Sequence, residues 1–253
     1  MPAYDYSVLA DIYDDFCVWD DDLEFFRDAA AAARGPVLKL MAGTGRVTLP
    51  MLGAGADLTC VDSSLSMLDV LSRKLAGRTK RARMVCGDVC SLPLATGFEL
   101  VVLPFRGFSE LVGESPQLAA LAETARVLRT GGTFICTAHN AAVRGPAADG
   151  RWREIGRFQG RHGRTVVLHL KTALSDRPGV VVGEQRVEVL DAHGRDVERR
   201  SVALEFSLVS PAVLVEMARS VGLAAVRMLG DWSGSPYDEG SSPVLIAIFE
   251  KVG

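Results

Sequence analysis

Very little in this sequence invites a polyanion or a lipid. Its 253 residues carry 28 Lys and Arg against 31 Asp and Glu, a net charge of −3. That balance provides no footprint for nucleic acid or an anionic membrane surface. The longest basic cluster, Arg78-Thr79-Lys80-Arg81-Ala82-Arg83, reads as a solvated loop. No apolar run reaches the roughly 18 residues that span a bilayer. The start, Met1-Pro2-Ala3-Tyr4-Asp5-Tyr6, is acidic and aromatic and lacks the basic, then apolar, order of a secretory leader. The expected location is the cytoplasm, with no membrane and no nucleic-acid partner.

Cysteine is scarce and odd in number: Cys17, Cys60, Cys86, Cys90 and Cys136. That argues against a disulfide framework. Cys60, Cys86 and Cys136 fall in apolar, strand-like runs and are expected to act as small hydrophobes. Cys86 and Cys90 have no second pair or nearby His, so no metal site is expected. Internal repeats and low-complexity tracts are absent as well.

What the sequence has is alternation. Residues 4–34 read as helical, with Asp20-Asp21-Asp22 as N-cap of a helix from Leu23 to Arg34, stopped by Gly35-Pro36. Strands are expected at Val37–Met41, Leu58–Val61, Ala82–Cys86, Leu100–Leu103 and Thr133–Ala138. Helices are expected between them, at about Arg46–Leu52, after Ser63-Ser64 to Leu75, and at about Gln117–Leu128, the last stopped by Gly131-Gly132. This order implies a parallel sheet with right-handed crossovers. After a loop at 141–150 the period changes to two, from Trp152 to about Phe206, with a hairpin turn at Asp191-Ala192-His193-Gly194. These residues read as antiparallel strands forming a lid or side sheet. Ser210-Pro211 then opens a helix, and strands follow at Leu223–Leu229 and Val244–Glu250.

Ligands of open α/β sheets bind beyond the carboxyl ends of the strands. Polar and flexible residues collect there: Gly43 and Gly45 after the first strand, Asp62 after the second, and Asp88 after the third. Pro104-Phe105-Arg106 follows the fourth and His139-Asn140 the fifth. The two glycines let a ligand approach bare N–H groups. Asp62 is placed to accept both hydroxyls of a ribose, and Asp88, with Val89, to accept from an exocyclic amine such as that of adenine. Met67 and Leu92 could flank a flat base. A dinucleotide fold wants a third glycine where this chain has Thr48, which disfavours NAD or FAD.

The stretches Val37-Leu38-Lys39-Leu40-Met41-Ala42-Gly43-Thr44-Gly45-Arg46, Val61-Asp62-Ser63-Ser64, Cys86-Gly87-Asp88-Val89 and Phe98–Phe105 resemble, in order, the motifs of class I S-adenosylmethionine-dependent methyltransferases. Leu128-Arg129-Thr130-Gly131-Gly132-Thr133 is similar to the run that precedes their fifth strand, and Tyr6–Asp14 resembles the cofactor-covering helix of small-molecule members. The resemblance implies an α/β, Rossmann-like, seven-stranded, mostly parallel sheet with helices on both faces, its last strand antiparallel. Residues 1–140 and 207–253 would form this core with N-terminal covering helices, and 141–206 an inserted antiparallel β lid. The implied cofactor is S-adenosyl-L-methionine, held by Tyr13, Ala42, Gly43, Gly45, Asp62, Ser63, Met67, Asp88, Val89, Leu103 and Pro104.

The implied activity is methyl transfer to an N or O atom of a small molecule, such as a specialised metabolite. His139 is the first candidate base, Arg106 a candidate to orient an anionic acceptor or to pair with Glu110, and Tyr13 a candidate to close over the cofactor. Trp152, Asp231, Trp232 and Tyr237 could wall the acceptor pocket, and a homodimer is left open. Lys39 departs from the family's pattern, which usually has Asp or Glu there. A buried lysine is costly unless paired or neutral. It either turns aside to a nearby carboxylate, or weakens cofactor binding, or marks a catalytically silent or repurposed member that acts as a binding protein or in a non-methylating reaction.

Overall fold

The computed structural model describes residues 6–76 and 81–253. The acidic start up to Asp5 and Arg78-Thr79-Lys80 of the basic cluster lie outside them. In chain order a 3₁₀ turn, Tyr6–Leu9, and two helices, α1 (Tyr13–Phe16) and α2 (Leu23–Ala32), come first. The alternating part is β1 (Val37–Lys39), α3 (Thr48–Gly53), β2 (Leu58–Asp62), α4 (Leu65–Leu75), β3 (Ala82–Cys86), β4 (Phe98–Leu103), α5 (Glu114–Val127) and β5 (Leu128–Ala138). A short helix α6 (Ala141–Arg144) leads to four long strands, β6 (Asp149–Gln159), β7 (Thr165–Leu174), β8 (Val180–Leu190) and β9 (Asp196–Ser207). The chain closes with α7 (Pro211–Ser220), β10 (Leu223–Leu229) and β11 (Leu245–Lys251).

Seven strands form the main sheet, in the order β10-β11-β5-β4-β1-β2-β3. β11 runs antiparallel to both neighbours and the central strands are parallel. β1 pairs with β2 on one side and β4 on the other, so the strand order reverses at its carboxyl end. Alternation sends Leu38 to one buried face with Val101 and Leu103, and Val37 to the other with Cys60 and Val102. The second sheet is antiparallel, β6-β7-β8-β9. Its inner face packs Val166, Leu168, Val187 and Phe206 against Leu9, Ile12 and Phe16 of the N-terminal segment. No helix among the described residues is long and apolar enough to cross a membrane.

Several local expectations differ from the fold. The N-terminal segment is broken into three short pieces rather than one helical stretch. Asp22 sits before α2 but makes no side-chain cap, because its carboxylate is taken by Arg46. Gly131-Gly132 do not stop α5. They lie inside β5, where Phe98 pairs with Leu128 and Leu100 with Thr133, and Gly131 at φ 70° lets the extra residues loop out. The 141–150 stretch holds α6, capped by the Asn140 side chain, which accepts from Ala142 N–H at 3.1 Å. Cys86 is exposed at the edge of the sheet rather than a packed hydrophobe. The Ser64 and Ser210 caps form as expected, accepting from Met67 N–H and Val213 N–H at 3.3 Å each.

Candidate functional site

The glycine turn follows directly from β1. Leu40 N–H still donates to Val102 O and Ala42 N–H to Val61 O, both at 2.9 Å, so the turn stays anchored between β4 and β2. Its two glycines are required for different reasons. At Gly45, φ 97°, a Cβ would lie 2.5 Å from Leu71 Cδ1 of α4, so packing excludes a side chain. At Gly43, φ 57°, a Cβ would meet nothing within 4 Å. Gly43 therefore borders open space at the strand ends.

Asp62 closes the turn from the side. Its Oδ2 accepts Gly43 N–H at 2.7 Å and its Oδ1 accepts Ser64 N–H at 2.8 Å. A carboxylate has about four acceptor positions, so two backbone bonds leave capacity for hydroxyls. Asp88 spends Oδ1 on Cys90 N–H at 2.8 Å. Met67, Val89 and Leu103 are buried beneath these ends, with Pro104 next to Leu103. Open backbone at Gly43 and carboxylates with spare acceptor capacity at two adjacent strand ends suit an adenosyl amino acid, and the residues present fit S-adenosylmethionine.

Lys39 is buried, 3% exposed, on the face of β1 shared with Val37. Its Nζ donates to Met41 O at 3.2 Å and to Ala42 O at 3.1 Å. Among the described residues it forms no ion pair, so the expected carboxylate partner is replaced by two carbonyls of the turn. Burial brings its pKa down to about 8, against the field of Asp62. Met41 is held at φ 47°, a left-handed conformation that favours glycine. The lysine thus ties down the turn from inside.

The N-terminal segment lies over this turn. Thr44 Oγ1 donates to Asp14 Oδ1 at 2.6 Å, and Lys74 Nζ reaches both Asp14 Oδ2 at 2.5 Å and Thr44 O at 2.8 Å. Arg46 pairs with Asp22 through both nitrogens, donates to Trp19 O at 2.6 Å, and lies 4.7 Å over the Phe105 ring.

Between this segment, the β4 and β5 ends and the second sheet is a partly open chamber of about 420 Å³. Tyr6, Tyr13 and Trp19 line one side and Phe105, Arg106 and Glu110 another. His139 lies beyond β5, and Leu168, Gln185 and Phe206 come from the second sheet. Of the residues singled out in sequence, Tyr13, Arg106, His139 and Trp232 meet here. Gly43, Asp62 and Asp88, at the neighbouring strand ends, do not line the chamber. Trp152 is elsewhere, under Arg186 at 4.1 Å, Asp231 binds its own loop serines, and Tyr237 packs into the core.

Phe105 and Arg106 are both left-handed, at φ 56° and 61°, and Arg106 N–H donates to Thr137 Oγ1 at 2.6 Å. This kink aims the Arg106 side chain into the chamber. It makes no ion pair with Glu110 or any other described carboxylate, and burial lowers its pKa. His139 packs on Phe206, ring centroids 4.7 Å apart. Burial, then the charges of Arg106 and Arg144, push its pKa down to about 3. The imidazole is neutral and a weak base. Burial raises the Tyr13 phenol well above its usual value, so it stays protonated. Among the groups that the sequence did not place in the chamber are Glu110, considered only as a partner for Arg106, and Gln185, whose buried Nε2 has no acceptor. Only the placement of the second sheet over the turn after β4 would have flagged Gln185.

The family described as a methyltransferase domain matches residues 37–132. A cypemycin N-terminal methyltransferase from Streptomyces is 28% identical over 84% of this chain and 82% of its own. The solved CcbJ methyltransferase from Streptomyces caelestis is 26% identical, covers 97% of this chain and 96% of its own, and superposes with a TM-score of 0.79. A demethylmenaquinone methyltransferase from Mycolicibacterium vanbaalenii is 38% identical, over only 39% of this chain and 40% of its own. With the strand order, the glycine turn and the two strand-end carboxylates already in place, these matches identify residues 37–132 as a methyltransferase domain and support a class I S-adenosylmethionine-dependent methyltransferase.

Proposed function

We propose that the chain methylates a nitrogen of a small polar molecule, such as a specialised metabolite, in the cytoplasm. The observation that carries this reading is the chamber itself. Its volume suits a small ligand, and the second sheet covers it. Bound S-adenosylmethionine supplies a methyl group already activated on a sulfonium. What the protein must add is position, exclusion of water and an acceptor lone pair. A hydroxyl acceptor wants a base, and His139, near 3, is a weak one. A neutral amine presents its lone pair directly, and the similar cypemycin enzyme is named for a terminal nitrogen.

In this reading Ala42, Gly43 and Gly45 approach the methionyl part, Asp62 and Ser63 the ribose, and Asp88, Val89 and Met67 the adenine. Leu103 and Pro104 lie near the methyl group, and Tyr13 closes over it. Arg106 orients an acidic group on the acceptor, and His139 offers a neutral ring nitrogen for a hydrogen bond. Lys39 is engaged beneath the turn and does not face the open space at Gly43, so nothing in its placement favours a silent or repurposed protein.

The test is calorimetry with S-adenosylmethionine and S-adenosylhomocysteine, followed by methyl transfer from labelled cofactor to matched amines and alcohols. Binding of both ligands and label on the amines are expected. Label on alcohols alone refutes the nitrogen reading.

A further inference from the structure

We propose that Glu110 is a catalytic residue that takes the proton from the acceptor's ammonium group, so that the acceptor is a basic aliphatic amine arriving protonated. This rests on the nitrogen-acceptor reading above.

Glu110 ends the 3₁₀ turn Gly107–Glu110, which follows directly on the β4 loop. Its side chain lines the chamber, yet no described residue gives it a hydrogen bond or an ion pair. Arg106, four residues back, does not reach it. The groups that face it come from other elements. Asp62 at the end of β2 acts on it from the cofactor side, and it in turn acts on Tyr13 of α1. His139 lines the same chamber beyond β5 and is neutral. Glu110 therefore lines the chamber within reach of the Asp62 charge. A half-buried carboxyl facing the chamber without a partner is open to an incoming cation. An incoming ammonium supplies what is missing.

The chemistry agrees with the placement. An ordinary carboxylate is too weak a base to deprotonate an alkylammonium ion. Burial, with Asp62 adding to it, pushes Glu110 up to about 8, close to an aliphatic amine. Proton transfer is efficient when the two groups are matched in this way. In the step, an N–H bond of the ammonium breaks and an O–H bond forms on Glu110. The lone pair left on nitrogen is the one that accepts the methyl group. Glu110 then returns its proton to water through the open side of the chamber. In the same chamber, the unpaired Gln185 Nε2 needs an acceptor, which an oxygen substituent on the amine provides. The class that fits both is an oxygenated aliphatic amine, such as an amino sugar.

Wild type and Glu110→Gln are compared with S-adenosylmethionine and four probes, D-glucosamine, glycine, D-glucose and lactate, by release of S-adenosylhomocysteine from pH 6 to 10. Expected is a loss of about 10²–10⁴-fold in kcat/KM for the amines at pH 7, shrinking towards wild type at pH 10, where the amine is already neutral. A purely structural role would leave the loss constant with pH. Methylation of amines with no loss, or with a constant loss, overturns the role of Glu110. Methylation of the hydroxyl probes alone overturns the nitrogen reading with it. Infrared titration of the carboxyl, wild type minus Glu110→Gln, needs no turnover. A carboxyl that ionises between about pH 7 and 9, where the amine is still largely an ammonium, supports the proposal, and one ionised by pH 6 overturns it.

Discussion

Replacing Lys39 by Met keeps the length of the buried stem and removes the charge. The effect on stability follows from the gap between about 8 in the native state and the ordinary 10.5 of an unfolded chain. At roughly 1.36 kcal/mol per pH unit, that gap corresponds to about 3 kcal/mol. Below pH 8 the lysine is charged in both states and its contribution is flat. Between pH 8 and 10.5 the unfolded chain holds the proton that the native state has released, so stability rises with pH. At pH 7 two hydrogen bonds from a charged donor, about 1.5–3 kcal/mol each, are lost in the variant, offset by removal of the burial cost. The two proteins should differ there by no more than about 2 kcal/mol. By pH 10.5 wild type should have gained about 3 kcal/mol on the variant. Cys17 and Tyr13, whose values burial raises, act in the opposite direction but cancel in the difference. Cys60 feels Lys39 directly, so both proteins should carry Cys60→Ala. The assay is urea unfolding at intervals from pH 7 to 10.5. Parallel stability curves, or a wild type that falls relative to Lys39→Met, would refute a charged lysine held under the turn.

The two glycines of the turn should separate stability from binding. Gly45→Ala meets both a left-handed backbone and Leu71, and should cost about 2–5 kcal/mol, read as a drop in Tm. Gly43→Ala meets only the backbone term, about 1–2 kcal/mol, yet should weaken S-adenosylmethionine binding by roughly tenfold or more, because its methyl group enters the open space. Equal losses of affinity at both sites, once folded protein is compared, would contradict this division. Asp22→Asn strips Arg46 of its partner at a site where the two side chains are 5% and 14% exposed. Breaking such a pair should cost about 3 kcal/mol or more in urea unfolding, and a change below 1 kcal/mol would show that Trp19 O alone satisfies Arg46.

The parallel half of the fold was legible because its signals are local. The parallel strands are short apolar runs; Asp62 ends one, and Gly43 and Asp88 follow two others. Ser64 and Ser210 cap helices through bonds to residues three positions on. Asp22 failed as a cap for the opposite reason. Its carboxylate goes to Arg46, 24 residues away, and no local pattern announces that competition. The direction of the Lys39 side chain depends on where the Met41 and Ala42 carbonyls point after the turn, which is a tertiary fact. The chamber was least legible. Gln185 and Glu110 line it together only because the second sheet packs over the turn after β4, and an antiparallel strand's alternation does not say what its inner face will cover.

The ties of the N-terminal segment bear on how this chain is made. Asp11 is bound by Arg200, 189 residues later, and Asp15 by Arg161. At about 5–20 residues per second, a ribosome needs roughly 10–40 s to go from one partner to the other. During that time the segment that will cover the glycine turn has no second sheet to rest on, and Leu9, Ile12 and Phe16 lack their apolar counterparts. The central parallel strands, closed by residue 138, can assemble within that interval. Contacts of such long sequence separation form last. The nascent chain can therefore close its parallel strands before the chamber exists, with Leu9, Ile12 and Phe16 exposed in that window.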